Sequence, residues 1–185
     1  MSNFTASEKE ILLNIVDQSI QYGLKHNKPL PIGLDQYPKK LHEYGACFVT
    51  LEKNGDLRGC IGSLEAHRPL VIDVSENAYA AAFLDSRFSP LTPDEYPLLT
   101  KHISVLTKPV PMVFSSEEDL LNQIRPNIDG LVLIENGYRG TFLPAVWESL
   151  PDKKEFLRHL KMKAGLPPNY WSNTLRVERY TAEII

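Results

Sequence analysis

Apolar side chains at Ile11, Leu12, Ile15, Val16, Ile20 and Leu24 recur at the three- and four-residue spacing of one helix face. Ser7 followed by Glu10 has the form of a capping box, so the first helix is expected to run from there to about Lys25. The pattern then loses its period. Residues 28–44, broken by prolines, read as a loop with one helical turn near residues 39–44.

Alternating and apolar runs follow, punctuated by turn dipeptides. ACFVTLEK, Asn54-Gly55 and DLRGCIGS predict a β-hairpin, because Asn-Gly supplies the two positive φ angles of a type I′ turn. LVLIE, Asn136-Gly137 and YRGTFLP predict a second. Between them, Pro69 opens a helix striped by Leu70, Val71, Val74, Ala78, Ala81 and Ala82 and ending near Asp85. Thr92-Pro93-Asp94-Glu95 opens a short turn before the strand HISVLTKPV, and Ser115-Ser116-Glu117-Glu118 caps a helix through Ile124. Asp152 caps a helix that stops at Gly165, and LRVERYTAEII reads as a closing strand. Helices and hairpins mix without a βαβ rhythm, so the expected class is α+β: a mostly antiparallel sheet with flanking helices, in one domain over residues 1–185.

Composition changes this picture little. With 43% hydrophobic and 23% charged residues the chain has the make-up of a globular domain. A net charge of −3 gives no global positive field for nucleic acid or an anionic membrane. No apolar run approaches the ~20 residues of a membrane span, and the start MSNFTASEKE has no signal-peptide core, so a cytoplasmic protein is expected. Two cysteines, Cys47 and Cys60, make no disulfide framework, and both are expected to be reduced.

Chemistry concentrates in the first hairpin. A two-residue turn pairs Lys53 with Asp56, Leu51 with Arg58, Val49 with Cys60 and Cys47 with Gly62, which sets Arg58 and Cys60 on one face. An arginine beside a thiol favours the thiolate, making Cys60 a candidate nucleophile. Gly59 and Gly62 leave nearby backbone amides open to an anion. Cysteine is also among the most buried residue types, so inert packing is the competing reading, and the one that suits Cys47 in its apolar run. His102, at the start of its strand, is the histidine a sheet could carry toward a site. Arg58, Arg87 and Arg139 are candidate anion ligands; Arg58 and Arg139 take matching places after the two Asn-Gly turns, in KNGDLRGC and ENGYRGTF. At least two of the three are expected to point into the same cleft as the Cys60 hairpin; an arginine paired instead to Asp85 or Asp129 would be ordinary structural neutralisation. No HExxH, CxxC, GxxxxGKS, GxGxxG or GxSxG occurs, so no metal or cofactor is assigned, and the GxxG match in GCIG lies in a strand rather than an RNA-binding loop between helices.

LRGCIG, residues 57–62, resembles the signature hexapeptide of the AMMECR domain family. The resemblance continues through RPL, AAFLDSRFSPL, ISVLTKP, RGTFLP and KAGL, in order along the chain. It implies an α+β fold with a larger and a smaller lobe and the hexapeptide facing a cleft between them. It further implies the bacterial and archaeal branch of the AmmeMemoRadiSam system, in which the domain accompanies a Memo-type protein and a radical SAM protein. The family brings no established reaction, so an enzyme using Cys60 stands first, an adaptor that presents a small molecule or peptide to those partners second, and an RNA-binding protein third. Leu143-Pro144-Ala145-Val146 departs from the LPQV of many members, and Met162 stands where some have cysteine.

Overall fold

A computed structural model describes residues 2–185 and divides the chain into two compact units: one runs to Leu106 and includes Glu183–Ile185, the other is Thr107–Ala182. Each has its own antiparallel sheet and apolar core.

The first unit begins with α1, Ala6–His26. Its capping box uses Thr5 and Glu8 rather than the expected Ser7 and Glu10, so the helix starts a residue or two earlier. Both pairs fit the motif. The earlier one is formed, ahead of a face on which Leu12, Ile15, Val16 and Ile20 are buried. Two 3₁₀ turns, Leu34–Gln36 and Lys39–His42, lead to β1, Tyr44–Lys53, and β2, Asp56–Gly62. Asn54 and Gly55 take φ of 55° and 86°, the conformation an Asn-Gly hairpin turn requires. A two-residue β3, Arg68–Pro69, feeds α2, Leu70–Phe83, and a short 3₁₀ turn precedes β4, Leu99–Leu106. Leu70, Val71, Val74, Ala78, Ala81 and Ala82 bury the predicted stripe of α2 against the sheet.

The expected strand HISVLTKPV is divided. β4 ends at Leu106, and β5, Val110–Pro111, belongs to the second unit's sheet. LRVERYTAEII divides likewise into β8, Arg176–Tyr180, in the second sheet and β9, Ala182–Ile184, beside β4 in the first. Local apolarity marks an extended segment, but not the residue at which it changes sheet. The two changeovers are tied together, Thr107 N–H to Thr181 O at 2.9 Å and Thr181 N–H to Thr107 Oγ1 at 2.8 Å.

In the second unit, α3, Glu117–Gln123, is capped by Ser116; the hairpin β6, Gly130–Glu135, and β7, Tyr138–Phe142, turns at Asn136-Gly137; α4, Lys153–Ala164, is capped by Asp152 and ends on Gly165 at φ 93°. The two Arg-Gly hairpins share one packing device. A Cβ on Gly59 would lie 2.1 Å from the Ala81 carbonyl oxygen of α2, and one on Gly140 would lie 2.8 Å from the Ala164 nitrogen of α4. Each glycine lets a helix backbone sit against its strand. The arginines before them differ: Arg58 sits at a break in its strand's register, and Arg139 pairs regularly with Ile134.

Candidate functional site

The expected hairpin register fails at Arg58. Lys53 pairs with Asp56 and Glu52 with Leu57, and then the register shifts, so that Leu51 pairs with Gly59, Thr50 with Cys60 and Phe48 with Gly62. The extra residue is a β-bulge, which breaks the two-residue alternation on which a shared face for Arg58 and Cys60 depends. Arg58 is buried and held by Glu95 through Nε–Oε1 and Nη2–Oε2, both 3.0 Å, with a further bond from Nη2 to Ser89 O at 2.8 Å. Its guanidinium is committed to the loop after α2.

Cys60 comes instead to the sheet face opposite the core. It pairs with Thr50, whose Oγ1 lies 3.3 Å from Sγ, and Thr50 pairs on its other side with His102 of β4. Cys60, Thr50 and His102 therefore form one row across three strands. Glu52, two residues along the same face, reaches the His102 Nε2 at 3.6 Å. Cys47, Val49 and Leu51 alternate with these residues and point into the core, so the two cysteines lie on opposite faces, whereas the expected register, with Cys60 opposite Val49, would have set them on one. Both are free thiols; Cys60 is half-buried and Cys47 fully buried. Burial, then the charge of Asp73, pushes the Cys47 thiol well above its usual range.

β2 is an edge strand of this sheet, and side chains complete its edge at Cys60. The Cys60 N–H donates to Asp85 Oδ2 at 2.9 Å, and its carbonyl accepts from Arg87 Nη2 at 3.4 Å. Asp85 is buried and binds Arg87 back through Nε at 3.0 Å and Nη2 at 2.8 Å. The Phe88 ring has the Arg58 and Arg87 guanidinium carbons 5.7 and 5.5 Å from its centroid, within cation–π range. Residues 85–95 thus strap the edge. Arg87 remains 54% exposed in its side chain and is the arginine next to the thiol. Arg139 stands on β7 of the second unit, opposite Ile134 in an unbulged pairing, so the matching places suggested by the two hairpins are not structurally equivalent.

Gly62 also has a packing reason, since a Cβ there would meet Phe48 Cγ at 2.3 Å and Cys47 O at 2.5 Å. Thr50, Glu52, Asp85 and Glu95 belong to the site; of these the sequence pointed only to Asp85, as a neutralising partner for an arginine, and the structure pairs it with Arg87. Only Asp85 carried a local signal, two residues before an arginine at a helix end.

The Arg87 hydrogen bonds, aided by the Cys60 and Arg87 amides, hold the Asp85 carboxyl well below the usual carboxylate range; Arg58, Lys53 and the Thr92 amide do the same for Glu95. A carboxyl depressed in the folded state stabilises above its unfolded pKa of about 4, and that contribution is lost as pH falls toward the folded value. The urea midpoint is therefore expected to drop on acidification below about pH 4, and to drop less steeply in Asp85→Asn and Glu95→Gln. Equal acid slopes in all three proteins would contradict the assignment.

No group of three or more His, Cys, Asp or Glu side chains placed to hold a metal ion occurs among the described residues, and no helix among them is long and apolar enough to cross a membrane.

The class that fold and site define is an α+β protein of two antiparallel sheets, each carrying a helix seated on a strand glycine, with one sheet edge strapped at a cysteine. The chain belongs to the AMMECR1 family, whose profile matches residues 13–185. It is similar to a Methanothermobacter thermautotrophicus protein, 38% identical over 183 residues and covering 96% of this chain and 93% of the other. A Thermotoga maritima protein is 34% identical over 174 residues, covering 92% of each. The crystal structure of an uncharacterized protein from Pyrococcus horikoshii superposes with a TM-score of 0.85 at 34% identity, covering 98% of this chain and 92% of that one.

Proposed function

We propose that the Cys60 face of the first sheet is a thiol-based catalytic surface. The observation that carries this reading is the row itself: a half-buried sulfur 3.3 Å from a hydroxyl, with a histidine next along and both peptide groups of the cysteine pinned by Asp85 and Arg87. In the reaction, Sγ attacks an electrophilic carbon and forms an S–C bond as the bond from that carbon to its leaving group breaks. The thiol proton passes through the Thr50 hydroxyl to the His102 imidazole, which Glu52 steadies, and returns to the leaving group. Arg87 binds an anionic group of the substrate. Gly59 and Gly62 serve by packing, which sets the strand on which the thiol sits.

Alkylation of the folded protein tests the reading. Iodoacetamide is expected to label Cys60 alone, with Cys47 labelled only after unfolding, as peptide mass spectrometry would show. A folded protein that takes up no label, or labels Cys47 as readily, would contradict it.

A second reading has its own support. Arg58 and Arg87 are already neutralised by Glu95 and Asp85, and Thr50 stands between the thiol and the histidine. On this reading the protein is a non-catalytic adaptor for a Memo-type protein and a radical SAM protein. Association of the three purified proteins that survives Cys60→Ser favours it, and no association at any concentration counts against it.

A further inference from the structure

The second unit holds a cavity of about 410 Å³, within the range of small-molecule pockets, between residues 111–115 and 171–178. Its apolar wall is Phe114 and Trp171, with ring centroids 5.7 Å apart. Leu175 and Val177 of the core line it as well.

The segment bearing Trp171 is fixed by a buried carboxylate. Glu135, 2% exposed, accepts from the hydroxyls of Tyr170, Ser172 and Thr174 at 3.0, 2.8 and 2.7 Å, all on its Oε1. Its Oε2 is buried with no hydrogen-bond partner among the described residues. The Thr174 hydroxyl, then those of Ser172 and Tyr170, outweigh burial and hold the carboxyl below its usual range. What it secures is residues 170–174. Lys161, itself buried and joined to Glu117 at 2.6 Å, lies 5.6 Å from the Trp171 ring. The aromatic wall is therefore set in place before any ligand arrives, which lowers the ordering cost of binding.

Two charged side chains on the cavity wall make no close ion pair. Arg176 and Glu178 line it from one face of β8, and neither lies within ion-pair distance of an oppositely charged side chain among the described residues. Arg176 feels the Glu135 charge only at longer range. Side chains two apart on a strand emerge about 6.6 Å from one another. The charged ends of an extended dipeptide are separated by about 7 Å.

We propose that this cavity binds a short zwitterionic peptide of dipeptide size with an aromatic side chain. Arg176 takes the carboxylate, Glu178 takes the ammonium, and the ring packs on Trp171 and Phe114. The inference is independent of the Cys60 chemistry and stands or falls without it.

Calorimetric titration with glycyl-phenylalanine, its C-terminal amide and its N-acetyl derivative tests the assignment, with the Trp171 indole N–H followed by NMR. The free dipeptide is expected to bind and shift that signal, and each blocked derivative to bind about tenfold more weakly, as expected for losing one charge-assisted contact. Arg176→Gln should abolish the preference for acid over amide, and Glu178→Gln the preference for the free amine; neither removes an ion pair from the fold. The proposal is overturned by equal affinity for all three probes, by an acid-to-amide preference unchanged in Arg176→Gln, or by neither heat nor shift at about 10 mM free dipeptide, a concentration that would detect even millimolar binding.

Discussion

Gly59→Ala is expected to destabilise the first unit by about 3 kcal/mol, the upper range for forcing a methyl group into close-packed structure. The Cβ would stand 2.1 Å from the Ala81 carbonyl oxygen, where the obstacle is helix backbone and no rotamer can relieve it. Either α2 moves off the sheet, opening the contact of Ala78, Ala81 and Ala82 with the core, or β2 leaves β1 and carries the bulge with it. Gly55→Ala is the control: its φ of 86° is unfavourable for alanine, but nothing lies within 4 Å of the new methyl group, so about 1 kcal/mol is expected. Both tryptophans, Trp147 and Trp171, belong to the second unit, so their fluorescence reports the wrong half of the molecule. Far-UV circular dichroism follows α1 and α2 instead. Equal denaturation midpoints for the two variants would show that the close approach at Gly59 does not constrain the fold.

Asp73→Ala is expected to cost about 4 kcal/mol, as when one partner of a buried ion pair is removed. Asp73 is fully buried and accepts four hydrogen bonds: from Cys47 N–H at 2.9 Å, Asn77 Nδ2 at 3.0 Å, Ser63 Oγ at 2.7 Å and Arg68 Nε at 2.8 Å. Alanine would leave the buried Cys47 N–H without an acceptor and Arg68 without its counter-charge. The loss should not be confined to the ion pair. Arg68→Ala removes that pair and leaves the other three bonds, so it is expected to cost less than half as much, and the double variant little more than Asp73→Ala alone. Urea denaturation of the four proteins measures this, and equal losses from the two single variants would contradict a hub role for the carboxylate.

These examples show what could be read from the chain and what could not. Both hairpins were legible because Asn-Gly fixes local dihedral angles, and Asn54, Gly55, Asn136 and Gly137 all take positive φ. The buried stripes of α1 and α2 were legible for the same reason, since helical spacing is a local property. The bulge at Arg58 was not. It accompanies the close approach of Gly59 to a helix more than twenty residues later and the pairing of Arg58 with Glu95, neither of which leaves a mark within the hairpin. One extra residue then moved Cys60 from the expected partner Val49 to Thr50 and turned it away from the core. The place of His102 depended in turn on the long-range pairing of β1 with β4, which periodicity within either strand does not set. The division of the last strand between two sheets escaped notice because Thr181 interrupts no apolar pattern.

The central claim, that the row from Cys60 through Thr50 to His102 works as one chemical unit, is tested most directly by the rate at which Cys60 is alkylated in the folded protein. Thr50→Val and His102→Gln are each expected to slow it by about a hundredfold, the lower end of what a positioned base contributes, without moving the denaturation midpoint appreciably. Unchanged rates in both variants would contradict the claim and leave Cys60 a half-buried thiol at a strapped sheet edge.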